Sequence, residues 1–126
     1  MKLTPRDEAA LNGVHPDLVT VIRASAERTF LKWFVNEGLR TPARQHALLA
    51  QKRTMTLDSP HLARPTIVDG VALNLGHAVD LVLLNGKAAD WTFAHYHALA
   101  AEVLEQAARR RIPVRWGGHF RTRTGK

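Results

Sequence analysis

The chain has 126 residues and no cysteine, and its 18 Lys and Arg side chains outnumber its 11 Asp and Glu side chains. This length accommodates one domain, residues 1–126, which can bury a core without disulfide bonds. The lack of cysteine excludes thiol catalysis and zinc sites built from cysteine. The net charge of +7 favours an anionic partner, although residues 1–105 are balanced and the whole excess follows Glu105.

The sequence carries no signal for export or membrane insertion. The first eight residues lack the apolar stretch of a signal peptide. No run approaches the roughly 18 apolar residues that a membrane-spanning helix needs. We therefore expect a protein that is made in the cytoplasm and does not insert into a membrane.

The first predicted elements are helices. Thr4 and Pro5, followed by two acidic residues, predict a short helix that ends at Gly13. Pro16 opens a second helix, in which apolar side chains recur at helical spacing. Aromatic and β-branched residues at positions 30–35 predict a strand, and Thr41 begins a third predicted helix.

The second half of the chain alternates between loop, strand and helix patterns. Residues 54–76 are rich in turn-forming side chains and predict a long loop. Residues 78–84 predict a central strand that is apolar on both faces and ends at a turn. Asp90 is predicted to cap a helix over about residues 91–110, and residues 112–116 predict a last short strand. This order predicts an α+β domain.

Asp80 is unusual because it lies in the middle of the predicted apolar strand. A carboxylate there is costly to bury unless it is paired or bound to a metal. One interpretation pairs it with backbone amides or an Arg, and the other makes it a metal ligand together with His61 and His119. His77 is the poorer partner, because alternation along a strand places it on the opposite face. Two imidazoles and one carboxylate form a catalytic zinc set that leaves a fourth position for water.

The remaining aromatic side chains have ordinary explanations. His95 and His97 are predicted to lie at the surface or rim of the long helix. The tryptophans at 33, 91 and 116 are predicted to belong to the core rather than to a ligand site. The chain has no His-Glu-x-x-His, Gly-x-Ser-x-Gly or phosphate-loop motif.

Five segments in order resemble a known family. They are Gly-Val-His-Pro-Asp-Leu at 13–18, Glu-Gly-Leu-Arg-Thr at 37–41 with Gln45, Met-Thr-Leu-Asp-Ser-Pro-His-Leu at 55–62, Gly-His-Ala-Val-Asp-Leu-Val at 76–82 and Ile-Pro-Val-Arg-Trp-Gly-Gly at 112–118. Together they resemble the zinc peptidases that include D-alanyl-D-alanine carboxypeptidases and the L-alanyl-D-glutamate endopeptidases used by phages as endolysins. The resemblance implies a Hedgehog/D-Ala-D-Ala peptidase-like α+β fold, with helices flanking a small antiparallel sheet.

The resemblance also implies a site with one zinc ion held by two His and one Asp. His61 matches the first ligand, the His of Ser-x-His, and Asp80 matches the Asp of Gly-x-Ala-x-Asp. Arg40 matches an Arg that binds or polarises the substrate, and Gln45 matches the Gln that accompanies it. The implied function is hydrolysis of the L-alanyl-D-glutamate bond of peptidoglycan, or D,D-carboxypeptidase activity, through a zinc-activated water.

Two features depart from the pattern of this family. His61 and Asp80 are separated by 18 residues, more than the family usually has, which indicates an insertion around residues 63–75. The family's third ligand and its catalytic base belong to a later Asp-Gly-Pro-His-Phe-like motif. Either His119 replaces that ligand, or the chain lacks the C-terminal strand that would carry it.

Two other functions stay open as alternatives. One is a catalytically inactive relative that binds zinc or the cell wall, and the other is a small basic nucleic-acid-binding domain, although no reading motif is present. The leading expectation is a monomeric endolysin, made in the host cytoplasm and acting on peptidoglycan after release. We expect no specific nucleic-acid partner.

Overall fold

The first two helices form where the sequence supplies caps for them. The computed structural model describes residues 1–39 and 63–116, and helix α1 is Pro5–Leu11 and helix α2 is Pro16–Arg28. The Thr4 hydroxyl accepts from the Asp7 amide while the Asp7 carboxylate accepts from the Thr4 amide, which forms a capping box. Both helices confirm the prediction. The third helix predicted from Thr41 lies outside the described residues.

Five strands follow in the described residues: β1 Trp33–Glu37, β2 Arg64–Val68, β3 Val71–Leu75, β4 Asp80–Asn85 and β5 Ala88–Asp90. Strands β1, β4 and β5 form an antiparallel sheet with β4 in the centre, as predicted. Trp33 pairs with Leu83, and Leu83 pairs in turn with Asp90 on the other side. Gly86 adopts a φ of +65° in the turn between β4 and β5.

The predicted long loop over residues 54–76 is wrong for its described part. Strands β2 and β3 pair with each other over their whole length as a separate two-stranded sheet. Asp69 and Gly70 make the turn with φ values of +50° and +80°, the positive pair that a tight two-residue hairpin turn requires. Three apolar side chains remain exposed on this hairpin: Ile67, Val71 and Leu73.

The core lies between the three-stranded sheet and the helices. A short 3₁₀ turn at Phe93–His95 leads into helix α3, Tyr96–Arg109. The helix starts later than predicted because Asp90 is still paired in β5. Buried side chains from α1, α2, the sheet and α3 form one cluster: Leu11, Val21, Ile22, Ala26, Trp33, Val35, Leu83, Leu99, Val103 and Ala107.

The chain leaves α3 without forming the predicted last strand. Arg111 turns the backbone with a φ of +56°, and residues 112–116 run on without strand pairing. Ile112 and Val114 still pack against the core, whereas Pro113 has no amide hydrogen to donate to a ladder. The predicted strand over residues 112–116 is therefore wrong. The α+β class, with helices and a small antiparallel sheet, is confirmed.

Candidate functional site

Asp80 is the predicted site residue that lies within the described part of the chain. Arg40, Gln45, His61 and His119 lie outside the described residues. Asp80 therefore defines the end of the sheet that the predicted site would occupy.

Asp80 is the first residue of β4 and is exposed to solvent. The prediction that it lies buried in the middle of the strand is wrong, because the strand pairing begins at Asp80 rather than at residue 78. Val79 packs against the core, and the next buried side chains of the strand are Val82 and Leu83. Asp80 therefore lies at the solvent-exposed start of the strand rather than in the core.

Glu37 places a second carboxylate beside Asp80. The two residues are paired across β1 and β4, at a point where the register shifts between Val35 and Glu37. Such bulges re-aim side chains and occur often beside active sites. Glu37 and Asp80 therefore lie next to each other at this end of the sheet.

Helix α1 holds the end of β1 in place. The buried Asp7 carboxylate accepts a hydrogen bond of 2.9 Å from the Val35 amide, two residues before Glu37. Gly38 packs so closely on α1 that a Cβ atom there would lie 2.2 Å from the Ala10 carbonyl oxygen. Glu37 therefore lies between two fixed points, which preserves its position relative to Asp80.

His77 lies just upstream of Asp80 in a small polar cluster. Its Nε2 atom is 2.8 Å from the Thr66 hydroxyl oxygen, and its ring lies 5.4 Å from the ring of His15. Partial burial lowers the pKa of His77, and the nearby His15 and Arg64 lower it further. The neutral ring is favoured, so His77 links hairpin β2–β3 to the start of α2 without adding charge.

The segment after β5 is fixed by the Tyr96 hydroxyl group. This group accepts from the Leu83 amide at 3.1 Å and donates to the Asp90 carbonyl at 2.7 Å. The Asp90 carboxylate contacts His95 Nδ1 at 2.6 Å and accepts from the Thr92 amide at 2.9 Å. These hydrogen bonds, that to His95 first, lower the pKa of Asp90. Residues 90–96 are therefore held in place by hydrogen bonds.

Three aromatic rings contact one another near this segment, which the sequence analysis did not predict. The rings of Phe93 and Trp116 are stacked with centroids 5.7 Å apart, and the His97 ring lies 4.9 Å from Trp116 and 5.3 Å from Phe93. Trp91, two residues before Phe93, is 73% exposed, so its predicted place in the core is wrong. Trp33 is buried as predicted, and His97 is exposed as predicted. The polar neighbours Asp90 and Thr92 were the available signal that this segment lies at the surface.

No group of three or more metal-binding side chains occurs among residues 1–39 and 63–116. Asp80 and Glu37 supply oxygen donors, and both imidazoles predicted as zinc ligands lie outside these ranges. The carboxylate oxygens at this end of the sheet are thus of a type that can bind zinc. Within the same ranges, no helix is both long and apolar enough to cross a membrane.

Comparison with known proteins gives a family and a structural relative. The family model described as phage L-alanyl-D-glutamate peptidase matches residues 1–125. The crystal structure of the Serratia marcescens L-Ala D-Glu endopeptidase ChiX is similar, with a TM-score of 0.75 and 36% sequence identity. The match covers 94% of this chain and 80% of the Serratia chain. A search of curated proteins gave no match.

Proposed function

The chain belongs to the phage L-alanyl-D-glutamate peptidase family, and on that premise we propose that it is a zinc-dependent endolysin. The peptidase hydrolyses the L-alanyl-D-glutamate bond in the stem peptides of bacterial peptidoglycan. Asp80 and His61 hold the zinc ion, and His119 is the candidate for the third protein ligand. The observation that carries this proposal is the match of the family model to residues 1–125, in which Asp80 is exposed at the start of β4.

The place of Asp80 at the start of β4 supports a metal ligand at this position. Asp80 pairs with Glu37 beside a register shift, and such bulges occur often next to active sites. Exposure leaves the Asp80 carboxylate accessible from solvent, as an open catalytic site requires. When bound, zinc supplies Lewis-acid chemistry, because it lowers the pKa of water and polarises a carbonyl group.

The side chains of the protein have separate parts in this proposal. Asp80 contributes a carboxylate ligand. Arg40 binds a carboxylate of the substrate through paired hydrogen bonds, for which its planar guanidinium is suited. Gln45 accompanies Arg40 in contacting the stem peptide.

The proposal also covers where the protein acts. It is synthesised in the host cytoplasm and reaches the wall after release, where peptidoglycan is its partner. The basic side chains that follow Glu105 favour approach to anionic envelope polymers. It acts as a monomer and requires no specific nucleic acid.

Peptidoglycan digestion tests the reaction and the metal together. Purified protein is incubated with peptidoglycan, with a chelator, and with a chelator followed by zinc, and new N-terminal amines of D-glutamate are quantified. Release that the chelator stops and zinc restores is the expected result. D80N should lose activity by at least about 100-fold, since a neutral amide is a poor zinc ligand.

A matched carboxylate variant separates metal loss from general damage. D69N changes an exposed carboxylate at the tip of hairpin β2–β3, where Asn tolerates the positive φ, and should keep wild-type activity. One-to-one zinc binding without release of new amines would instead indicate that this protein is a catalytically inactive relative that binds zinc. Chelator-resistant release would refute the zinc proposal while leaving the peptidase intact.

A further inference from the structure

An exposed aromatic surface lies close to the proposed catalytic end of the sheet. We call it the aromatic platform and define it by the rings of Phe93, His97 and Trp116 together with the exposed Trp91, which precedes Phe93 by two residues in the chain. The first three rings contact one another, in one stacked and two edge-on arrangements. Phe93 is 41% exposed and Trp91 is 73% exposed, so much of this apolar area faces water. Grouped exposed aromatic side chains are typical of binding surfaces.

The sheet topology brings the platform toward Asp80. Strand β5 is antiparallel to β4, so the chain leaving Asp90 runs toward the end at which β4 begins. Asp90 pairs with Leu83, three residues along β4 from Asp80. Strand rise and strand spacing place the Cα atoms of Asp80 and Asp90 about 11 Å apart. The platform follows directly after Asp90.

The platform combines apolar rings with polar groups at its edge. Aromatic faces carry partial negative charge and attract polarised C–H groups, whereas Asp90 and His95 can hydrogen-bond to hydroxyl or amide groups. The Tyr96 hydroxyl holds this segment on the sheet, so little conformational entropy is lost when a ligand binds. A ring with apolar C–H faces and a polar edge matches this surface, and a pyranose amino sugar has that structure.

We propose that the aromatic platform binds the amino sugar that carries the stem peptide, an inference that rests on the proposed function. In peptidoglycan, L-alanine is joined to muramic acid through a lactyl group, so one residue and that group separate the sugar from the scissile bond. Two such units span about 7 Å when extended. A sugar on the platform can therefore present the L-alanyl-D-glutamate bond near Asp80. The platform makes the enzyme prefer stem peptides that are still attached to glycan.

Binding can be measured without catalysis because the chain has three tryptophans in different environments. The indole N–H signals of Trp91, Trp116 and Trp33 are followed by two-dimensional NMR while the peptide-free disaccharide of N-acetylglucosamine and N-acetylmuramic acid is added. Trp91 and Trp116 should shift with a saturable dependence. Trp33 is 2% exposed and bonded to Thr29, so its signal serves as the internal reference. Unchanged Trp91 and Trp116 signals at millimolar disaccharide would overturn the proposal.

Kinetics on paired substrates test the consequence for specificity. The ratio of kcat/KM for a disaccharide-linked stem peptide to that for the same free peptide is compared between wild type and W91A. Loss of one aromatic contact should lower this ratio about threefold to tenfold. An equal ratio in the two proteins would overturn the inference. Cleavage of neither substrate by wild type would count against the proposed function, and the NMR titration would still decide the sugar site.

Phe30 provides a matched control for the loss of an exposed aromatic ring. It is 97% exposed and lies three residues before Trp33, beyond the end of β1 that is opposite Glu37 and Asp80. F30A should leave both kinetic constants and the tryptophan shifts unchanged. An equal fall in the ratio for F30A and W91A would show a non-specific effect of surface hydrophobicity and would refute the platform.

Discussion

Asp7 is expected to contribute strongly to the stability of the fold, because it joins helix α1 to strand β1. It is 4% exposed, and its carboxylate accepts from the Thr4 amide at 2.8 Å and from the Val35 amide at 2.9 Å. One carboxylate thus completes the cap of α1 and also joins that helix to β1. Replacing it with alanine removes both functions while leaving the exposed Asp80 and Glu37 region chemically unchanged.

The expected cost is the sum of two local effects. Loss of a helix cap destabilises by about 1 kcal/mol. The Val35 amide then has no charged acceptor in a buried position, which costs about 1–3 kcal/mol more. We therefore expect D7A to lower the free energy of unfolding by about 2–4 kcal/mol. T4A removes only the hydroxyl side of the cap and should cost about 1 kcal/mol.

Urea unfolding followed by tryptophan fluorescence measures both variants against wild type. D7N keeps an oxygen acceptor of similar shape and should fall between D7A and wild type. The reasoning is refuted if D7A and T4A are equally destabilised, because the bond from Asp7 to Val35 would then contribute nothing.

Three further predictions follow from the packing, the charges and the pKa shift. G38A should destabilise the protein by about 1–3 kcal/mol, because its Cβ atom would overlap the Ala10 carbonyl oxygen. In G70A the added Cβ atom meets no neighbouring atom, so this variant should lose only about 1 kcal/mol of stability through its positive φ. Thermal melts in which G70A is less stable than G38A would contradict this prediction. The pKa of His77 is lowered from 6.5, so the unfolded chain binds that proton more tightly than the folded protein does. The free energy of unfolding should therefore fall as the pH drops through and below 6.5. H77Q should weaken this pH dependence of the urea midpoint, and an unchanged dependence would contradict the prediction. Zinc should raise the melting temperature of wild type but not that of D80A, because a ligand that binds only the folded state stabilises it; an equal rise in both proteins would exclude Asp80 as a ligand.

The elements governed by local chemistry could be predicted from the sequence. The capping pattern at Thr4 and the apolar spacing of α2 specify helices through short-range contacts. The apolar run before Asn85 specifies the central strand for the same reason. Hairpin β2–β3 could also have been predicted, because Asp69 and Gly70 form a strong turn signal. Neighbouring prolines and glycines made the segment resemble a loop instead.

The environment of the predicted site depends on pairing between segments that are far apart in the chain. Such pairing could not be predicted from one sequence. The exposure of Asp80 follows from where pairing with β1 begins, and its neighbour Glu37 is 43 positions away in the chain. The stacking of Phe93 on Trp116 likewise requires α3 to return the chain to β5. The family motifs predict Asp80 as a site residue, and this stays a prediction, whereas its expected burial was wrong.

Gly76 anchors the segment that leads into Asp80. Its amide donates to the Gly13 carbonyl at 2.9 Å, and its carbonyl accepts from the His15 amide at 2.8 Å. These two bonds secure the chain to the loop between α1 and α2, four residues before Asp80. Hairpin β2–β3 is therefore separated from β4 by a segment that is fixed on its own. We expect changes in the length of that hairpin to leave the register of β4 unchanged.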